Sequence, residues 1–143
     1  MIIFRILTLA PFVGILIIAY AVLAFMNGDM NAWLAADAYA VTQFPSAVEA
    51  ELVLSRGDLL VMVGLFALAL EMIKATNTRT WSLANHGLSM LIFVIAMGLL
   101  LVASGYATVT FLLLTAMALV DVLVGMLVTI VTARRDFGGF TPA

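Results

Sequence analysis

Four long apolar segments dominate the chain, and each can cross a lipid bilayer as a helix. They cover residues 2–26, 59–75, 81–103 and 107–132. Because a helix rises about 1.5 Å per residue, about 20 residues cover the hydrocarbon core of a bilayer. Only 10% of the 143 residues are charged and 66% are hydrophobic, whereas a soluble domain carries about 25% charged residues. The sequence therefore predicts an all-α, polytopic membrane protein, a four-transmembrane-helix bundle formed by one domain over residues 1–143.

The basic residues predict the orientation of the bundle, because Lys and Arg collect on the cytoplasmic side of membrane proteins. Four spans place five of the six basic residues on the side that holds both termini. We expect these residues to act as cytoplasmic anchors: Arg5, Lys74, Arg79, Arg134 and Arg135. Arg56 is the exception and falls on the outer side. The chain is thus predicted to be N-in/C-in.

Residues 27–57 form the predicted outer loop, which is acidic apart from Arg56. Its segments NAWLAADAYAV and PSAVEAELVL are predicted to form short helices, and Trp33 is of an aromatic type that favours the headgroup layer. We interpret the loop as an acidic cap on the outer surface. The functional alternative is a vestibule that attracts cations.

Small and polar residues recur at helical spacing along one side of three of the segments. The three stripes are Gly64, Ala67, Glu71 and Lys74 in the second segment, Ser82, His86, Ser89, Phe93 and Ala96 in the third, and Ala118, Asp121, Gly125, Thr129 and Thr132 in the fourth. Small residues let membrane helices approach closely, and polar side chains form hydrogen bonds across the contact. We therefore expect the stripes to face one another inside the bundle.

Ionisable residues of these stripes are expected to meet at one depth. Glu71 and His86 lie equally far from the centre of the NTRT turn, residues 77–80, and an antiparallel helix pair places such residues at the same height. The next turn places Asp121 level with about Ser89, within one helical turn of His86. The sequence predicts a buried polar cluster made of Glu71, His86, Ser89 and Asp121.

Two roles are open for this cluster. Asp121 either joins helices through a hydrogen bond to a neighbouring polar side chain, or it relays protons or cations together with Glu71 and His86. The second role is chemically reasonable because buried carboxyl groups and histidines can exchange protons near neutral pH. For Glu71 the plainer alternative is an interfacial pair with Lys74 that reaches the headgroups.

A lone membrane histidine such as His86 also suggests an axial ligand for haem or a chlorophyll-type pigment. We nevertheless expect no cofactor and no metal. The chain has one His and no Cys, which is too small a ligand set for a closed structural metal site.

Motifs of the common enzyme classes do not occur in the sequence, which has no Gly-rich phosphate loop, HExxH or GxSxG. The net charge of −2 offers no basic surface for nucleic acid. We therefore expect a non-enzymatic integral membrane protein that packs as a homo-oligomer or as an accessory subunit of a larger membrane complex. The alternative is a small proton or cation channel or transporter built on the buried cluster. The expected partners are the lipid bilayer and other membrane protein subunits or copies of the chain itself.

The run EMIKATNTRTWSLANHGLSMLIF, followed by ATVTFLLLTAMALVDVLVGMLVTIVTARRDFG, resembles small four-span inner-membrane proteins of alphaproteobacteria. The resemblance covers about the last two spans and the loop before them. It implies a multi-pass protein of the bacterial inner (cytoplasmic) membrane. It adds no catalytic residue and no particular function.

Overall fold

A computed structural model describes residues 10–41, 52–75 and 81–138, and most of these residues are helical. The elements in chain order are the helices α1 (Phe12–Met26) and α2 (Met30–Ala35), the strands β1 (Asp37–Val41) and β2 (Leu52–Ser55), the helices α3 (Arg56–Ala75) and α4 (Trp81–Val102), a 3-10 turn (Ser104–Tyr106) and the helix α5 (Val109–Gly138). The order of the four long helices agrees with the four apolar segments. The NTRT turn lies outside the described residues.

Helix α5 is the centre of the helix packing, because α1, α3 and α4 all contact it. Its buried side includes Phe111, Leu114 and Ala118, which follow one another at helical spacing. The backbone of α3 comes close to this side at Gly64, where a Cβ atom would lie 2.8 Å from Cδ2 of Leu114. A glycine at this position therefore lets α3 rest directly on the side chains of α5.

Many of the large apolar side chains of the long helices lie on the outside of the helix packing. Large apolar residues lie exposed on every long helix, among them Phe25, Phe66 and Leu101, while Glu71 and Asp121 are buried. Among the residues that the structure describes, two helices are long and apolar enough to cross a membrane, over Asn85–Val102 and Val109–Val131. This agrees with the third and fourth predicted spans.

The other two long helices do not meet that standard within the described residues. The described part of α1 has 15 residues, about 22 Å of helix. Helix α3 has 20 residues but carries Arg56, Asp58, Glu71 and Lys74. Crossing by all four helices therefore stays a prediction.

Capping residues explain where the helices begin. Pro11 precedes α1 with an extended backbone, and its side chain ring fixes φ. Ser55 and Asp58 form a capping box at the start of α3, since each side chain accepts a hydrogen bond from the backbone N–H of the other, at 3.1 and 3.0 Å. Hydrogen bonds from the Ser55 hydroxyl and amide lower the pKa of Asp58, which precedes the predicted span 59–75.

Helix α5 begins after Thr108, whose hydroxyl oxygen accepts a hydrogen bond from the Phe111 N–H at 3.1 Å. The same hydroxyl forms a 2.6 Å hydrogen bond with the Tyr20 hydroxyl of α1. The Tyr20 ring packs against Tyr106 and Phe111, with ring centroids 6.0 and 4.8 Å apart. This contact joins α1 to the start of α5 at the end of the bundle opposite Glu71.

The prediction of two short helices in the outer loop was wrong in part. Met30–Ala35 is helical and is capped by Asp29, which accepts a hydrogen bond from the Ala32 N–H. The chain then changes to strand β1, which pairs antiparallel with β2 so that Val41 lies opposite Leu52. Pairing with β2 overrides the helical preference of the alanines in β1. A prediction made from each segment alone does not detect such pairing. Residues 42–51 lie outside the described residues.

Arg56 has a structural partner at this end of the bundle. Its guanidinium lies 5.1 Å from the centroid of the Trp33 ring, which is within the range of a cation–π interaction. Its backbone N–H donates to the Ala36 carbonyl at 3.0 Å. These contacts hold α2 and the residue that follows it against the start of α3.

Candidate functional site

Glu71 lies between three helices and is 1% exposed. One carboxylate oxygen, Oε2, accepts a hydrogen bond from the backbone N–H of Phe12 at 2.9 Å. The other, Oε1, accepts from the Asn85 side-chain amide at 2.6 Å and from Lys74 Nζ at 2.9 Å. Phe12 is the first residue of α1, so its N–H lacks a partner within the helix and favours a negative charge. Glu71 therefore ties the start of α1 to α3 and α4.

Lys74 completes this arrangement, which we call the Glu71–Lys74 clamp. Its Nζ also donates to the Ala10 carbonyl at 2.9 Å and lies 4.7 Å from the centroid of the Phe12 ring. Lys74 is partly exposed. The clamp forms hydrogen bonds with the backbone on both sides of Pro11, at Ala10 and at Phe12. This role is more specific than the interfacial pair or the cytoplasmic anchor that the sequence suggested.

Asn85 is the residue that sequence reasoning missed. The depth argument placed His86 opposite Glu71, but the hydrogen bond to Glu71 comes from the neighbouring Asn85. A shift of one residue rotates a helical side chain by about 100°. The buried amide was recognisable in the motif SLANH as a polar side chain beside His86 on a membrane helix.

His86 instead packs against α5 and is buried. A Cβ atom built on Gly125 would lie 2.5 Å from Cγ and from Cε1 of the imidazole, so the ring fills the space above this glycine. The stripe prediction placed His86 and Gly125 on facing sides of their helices, and the two residues are indeed in contact.

Asp121 is 2% exposed and lies on the buried side of α5. The Ser89 hydroxyl is the polar group next to its carboxyl, and Glu71, His86 and Lys74 are the charged or titratable groups within electrostatic range. Ser89 is buried as well. All four residues of the predicted cluster are therefore buried within the helix packing.

The cluster is divided into two parts by its contacts. Glu71 belongs to the clamp with Lys74 and Asn85. Asp121 lies on the α5 side, next to Ser89. The Asn85 Oδ1 is buried and has no hydrogen-bond partner among the described residues.

A groove of about 460 Å³ lies between α4 and α5 beside His86. Its walls are apolar apart from His86 and one threonine, and include Gly87, Met90, Gly125, Met126 and Ile130. The Gly87, Met90, Met126 and Ile130 positions are exposed. The groove therefore opens on the exposed side of the helix pair.

The remaining predicted anchors are at the ends of described segments or beyond them. Arg134 is exposed in the last turns of α5, and Arg135 follows it in the same helix. Arg5 and Arg79 lie outside the described residues. Among the residues that the structure describes, no group of three or more His, Asp or Glu side chains is arranged to hold a metal ion.

Comparison of the chain with protein-family models, with curated proteins and with solved structures found no match. The resemblance to small inner-membrane proteins of alphaproteobacteria therefore stays a prediction. Function has to be argued from the geometry.

Proposed function

We propose that this chain is a non-enzymatic integral membrane protein that packs against another membrane helix, either in a homo-oligomer or as an accessory subunit of a larger membrane complex. The observation that carries this proposal is the open groove between α4 and α5. It also rests on the exposed apolar side chains of the four long helices. Four spans, N-in/C-in, in a bacterial inner membrane are part of the proposal.

The walls of the groove have the properties that membrane helix contacts need. Lipid tails are as apolar as leucine, so helices associate in a bilayer through close packing rather than through burial of apolar surface. Gly87 leaves open space above its Cα, which admits the backbone or side chains of a neighbouring helix. Met90 and Met126 have flexible side chains that adapt to the shape of a partner.

We expect Gly87→Leu to raise the dissociation constant of the assembly by about tenfold or more, which corresponds to a loss of about 1.4 kcal/mol or more of binding free energy. The reason is that a leucine side chain fills part of the groove and prevents close packing of the partner helix. The matched control is Gly98→Leu on the same helix. Both glycines are exposed with no atom within 4 Å of a built Cβ, and they lie 11 residues, or about three turns, apart on nearly the same side.

Native mass spectrometry and sedimentation in detergent or nanodiscs measure this effect. A native chain that purifies with a second polypeptide at fixed stoichiometry is an accessory subunit, and one that forms a defined self-assembly is a homo-oligomer. Assembly that is equal in the native chain, Gly87→Leu and Gly98→Leu contradicts the proposal.

A second candidate function is a proton or cation pathway, and Asp121 is the observation that favours it. Asp121 is 2% exposed in a long apolar helix. Placing a carboxylate inside a bilayer costs free energy, so such a residue is a candidate functional site. His86 and Glu71 are the titratable groups in electrostatic range. Glu71 is held by three hydrogen-bonding partners, so the pathway depends mainly on Asp121 and His86.

If this second function is correct, proton or cation flux in liposomes is present for the native chain and falls to the rate of empty liposomes for Asp121→Asn. The control Asp37→Asn makes the same change at an exposed position of β1 and should keep the native flux. Absence of flux from the native chain removes this candidate and leaves the packing proposal.

A further inference from the structure

Trp33 and Arg56 form a contact at the end of the bundle opposite Glu71. The Arg56 guanidinium lies 5.1 Å from the centroid of the Trp33 ring, and both side chains are half-buried. A guanidinium that stacks on a ring keeps the N–H donors of its edge for other partners. Within the described part of the chain, these donors form no hydrogen bond and no ion pair. The Trp33–Arg56 pair therefore holds a positive charge in place with donors available for a ligand.

The pair lies level with the start of α5. A Cβ atom built on Gly57, the residue after Arg56, would lie 2.8 Å from the Thr110 hydroxyl and 3.4 Å from the Leu34 carbonyl oxygen. Thr110 is the second residue of the segment Val109–Val131, which is long and apolar enough to cross a membrane. If that segment crosses as proposed, the pair lies at the boundary of the hydrocarbon layer. Phospholipid headgroups begin there, and Trp and Arg side chains are favoured there.

Three carboxylates belong to the same end of the bundle. Asp29 caps α2 one helical turn before Trp33, and Asp58 caps α3 two residues after Arg56. Asp37 is exposed on β1, which pairs with the strand before α3. Among the described residues, none of these carboxylates forms an ion pair with the guanidinium. A ligand that carries only negative charge is therefore attracted by one group and repelled by three, whereas a ligand with separate negative and positive groups suits both kinds.

We infer that the Trp33–Arg56 pair binds the headgroup of a phospholipid that carries a phosphate and a primary ammonium group, as in phosphatidylethanolamine. Arg56 donates from the edge of its guanidinium to the phosphate oxygens, a charge-assisted contact that suits its planar geometry. The negative charges of Asp29 and Asp58 attract the ammonium group. Inorganic phosphate shares the first contact and lacks the second.

This inference rests on the proposed membrane location and goes beyond the proposed packing function. The groove residue of α5 nearest to Thr110 is Val122, which is 12 residues, or about 18 Å of helix, away from it. The lipid site and the groove are therefore separate surfaces, and each can be tested without the other.

The test uses the fluorescence of Trp33, which brominated acyl chains quench on contact. The sequence has two tryptophans, so the substitution Trp81→Phe leaves Trp33 as the probe. The chain is reconstituted in bilayers of equal parts phosphatidylethanolamine, phosphatidylglycerol and phosphatidylcholine, and in each sample one of the three lipids is brominated. We expect an association constant for phosphatidylethanolamine about fivefold above those of the other two lipids, the largest effect usual for an exposed ion pair.

Substitutions of the charged residues test each contact. Arg56→Gln should abolish the preference. The double variant Asp29→Asn and Asp58→Asn should also lower it while keeping both helix caps, because Asn caps helices as well as Asp does. Arg134→Gln is the control, since it removes an exposed arginine in the last turns of α5 and should leave the preference unchanged. A displaced Trp33 changes quenching by all three lipids together, so the ratio still measures selectivity if Arg56→Gln loosens α2.

Equal quenching by the three lipids overturns the inference and indicates contact with unselected lipid. Strongest quenching by phosphatidylglycerol also overturns it, because the charge of Arg56 would then select the ligand alone. Loss of the preference in excess inorganic phosphate assigns the site to free phosphate instead. Quenching by none of the lipids contradicts the proposed membrane position of this end, whereas equal quenching contradicts only the headgroup site.

Discussion

Glu71→Ala is expected to destabilise the helix bundle by about 3–5 kcal/mol, the usual cost of removing one partner of a buried ion pair. The substitution removes the acceptor of three donors: the Phe12 N–H, the Asn85 amide and Lys74 Nζ. Because these donors belong to three different helices, the loss affects the packing of α1, α3 and α4 together.

Unfolding by SDS titration in mixed micelles, followed by circular dichroism, measures this cost. Glu71→Gln is the control, since its amide oxygen can still accept the hydrogen bond from Phe12 while the charge is lost. We expect Glu71→Gln to be less destabilised than Glu71→Ala. Adding Lys74→Met to Glu71→Gln should recover part of the loss, because it removes the charge left without its carboxylate. A cost below about 1 kcal/mol for Glu71→Ala would mean that the clamp contributes no more than an exposed ion pair.

The sequence was most informative about the helices and their buried sides, because both depend mainly on the spacing of apolar and polar residues. Long apolar segments and stripes at helical spacing predicted helices close to those observed for α4 and α5. They also predicted the burial of Gly64, Ala67 and Asp121. Lipid exposure forces polar groups inward, so hydropathy and period together identify the inner side of each helix. Thr129 is an exception within its stripe, since it is exposed where it lines the groove.

Pairings that depend on exact rotation or on distant contacts were not predictable. The predicted partner of Glu71 on α4 was His86, whereas the observed partner is Asn85. The expected height of a residue in the bundle is accurate to about one residue, and a shift of one residue turns the side chain by about 100°. The β1–β2 hairpin depends on contacts between segments separated in sequence. The groove could not be predicted either, because it depends on the distance between α4 and α5 beside Gly87 and Gly125.

Gly125→Ala is expected to cost about 1–3 kcal/mol, the range for inserting a methyl group into a packed contact. The new Cβ would lie 2.5 Å from two carbons of the His86 ring, so the ring or the helix has to move. The control Gly98→Ala adds a methyl group in open space on α4 and should be neutral or stabilising by up to about 1 kcal/mol through helix propensity. Both are measured by SDS titration.

A double-mutant cycle separates overlap with His86 from a general effect on α5. In the His86→Ala background the imidazole is gone, and Gly125→Ala should then lose most of its penalty. A penalty that persists there would place the steric conflict elsewhere on α4. Equal stabilities of Gly125→Ala and Gly98→Ala would contradict the contact itself, and with it the placement of His86 on the α5 side. That placement matters for both proposed functions, because the same ring borders the groove and stands within electrostatic range of Asp121.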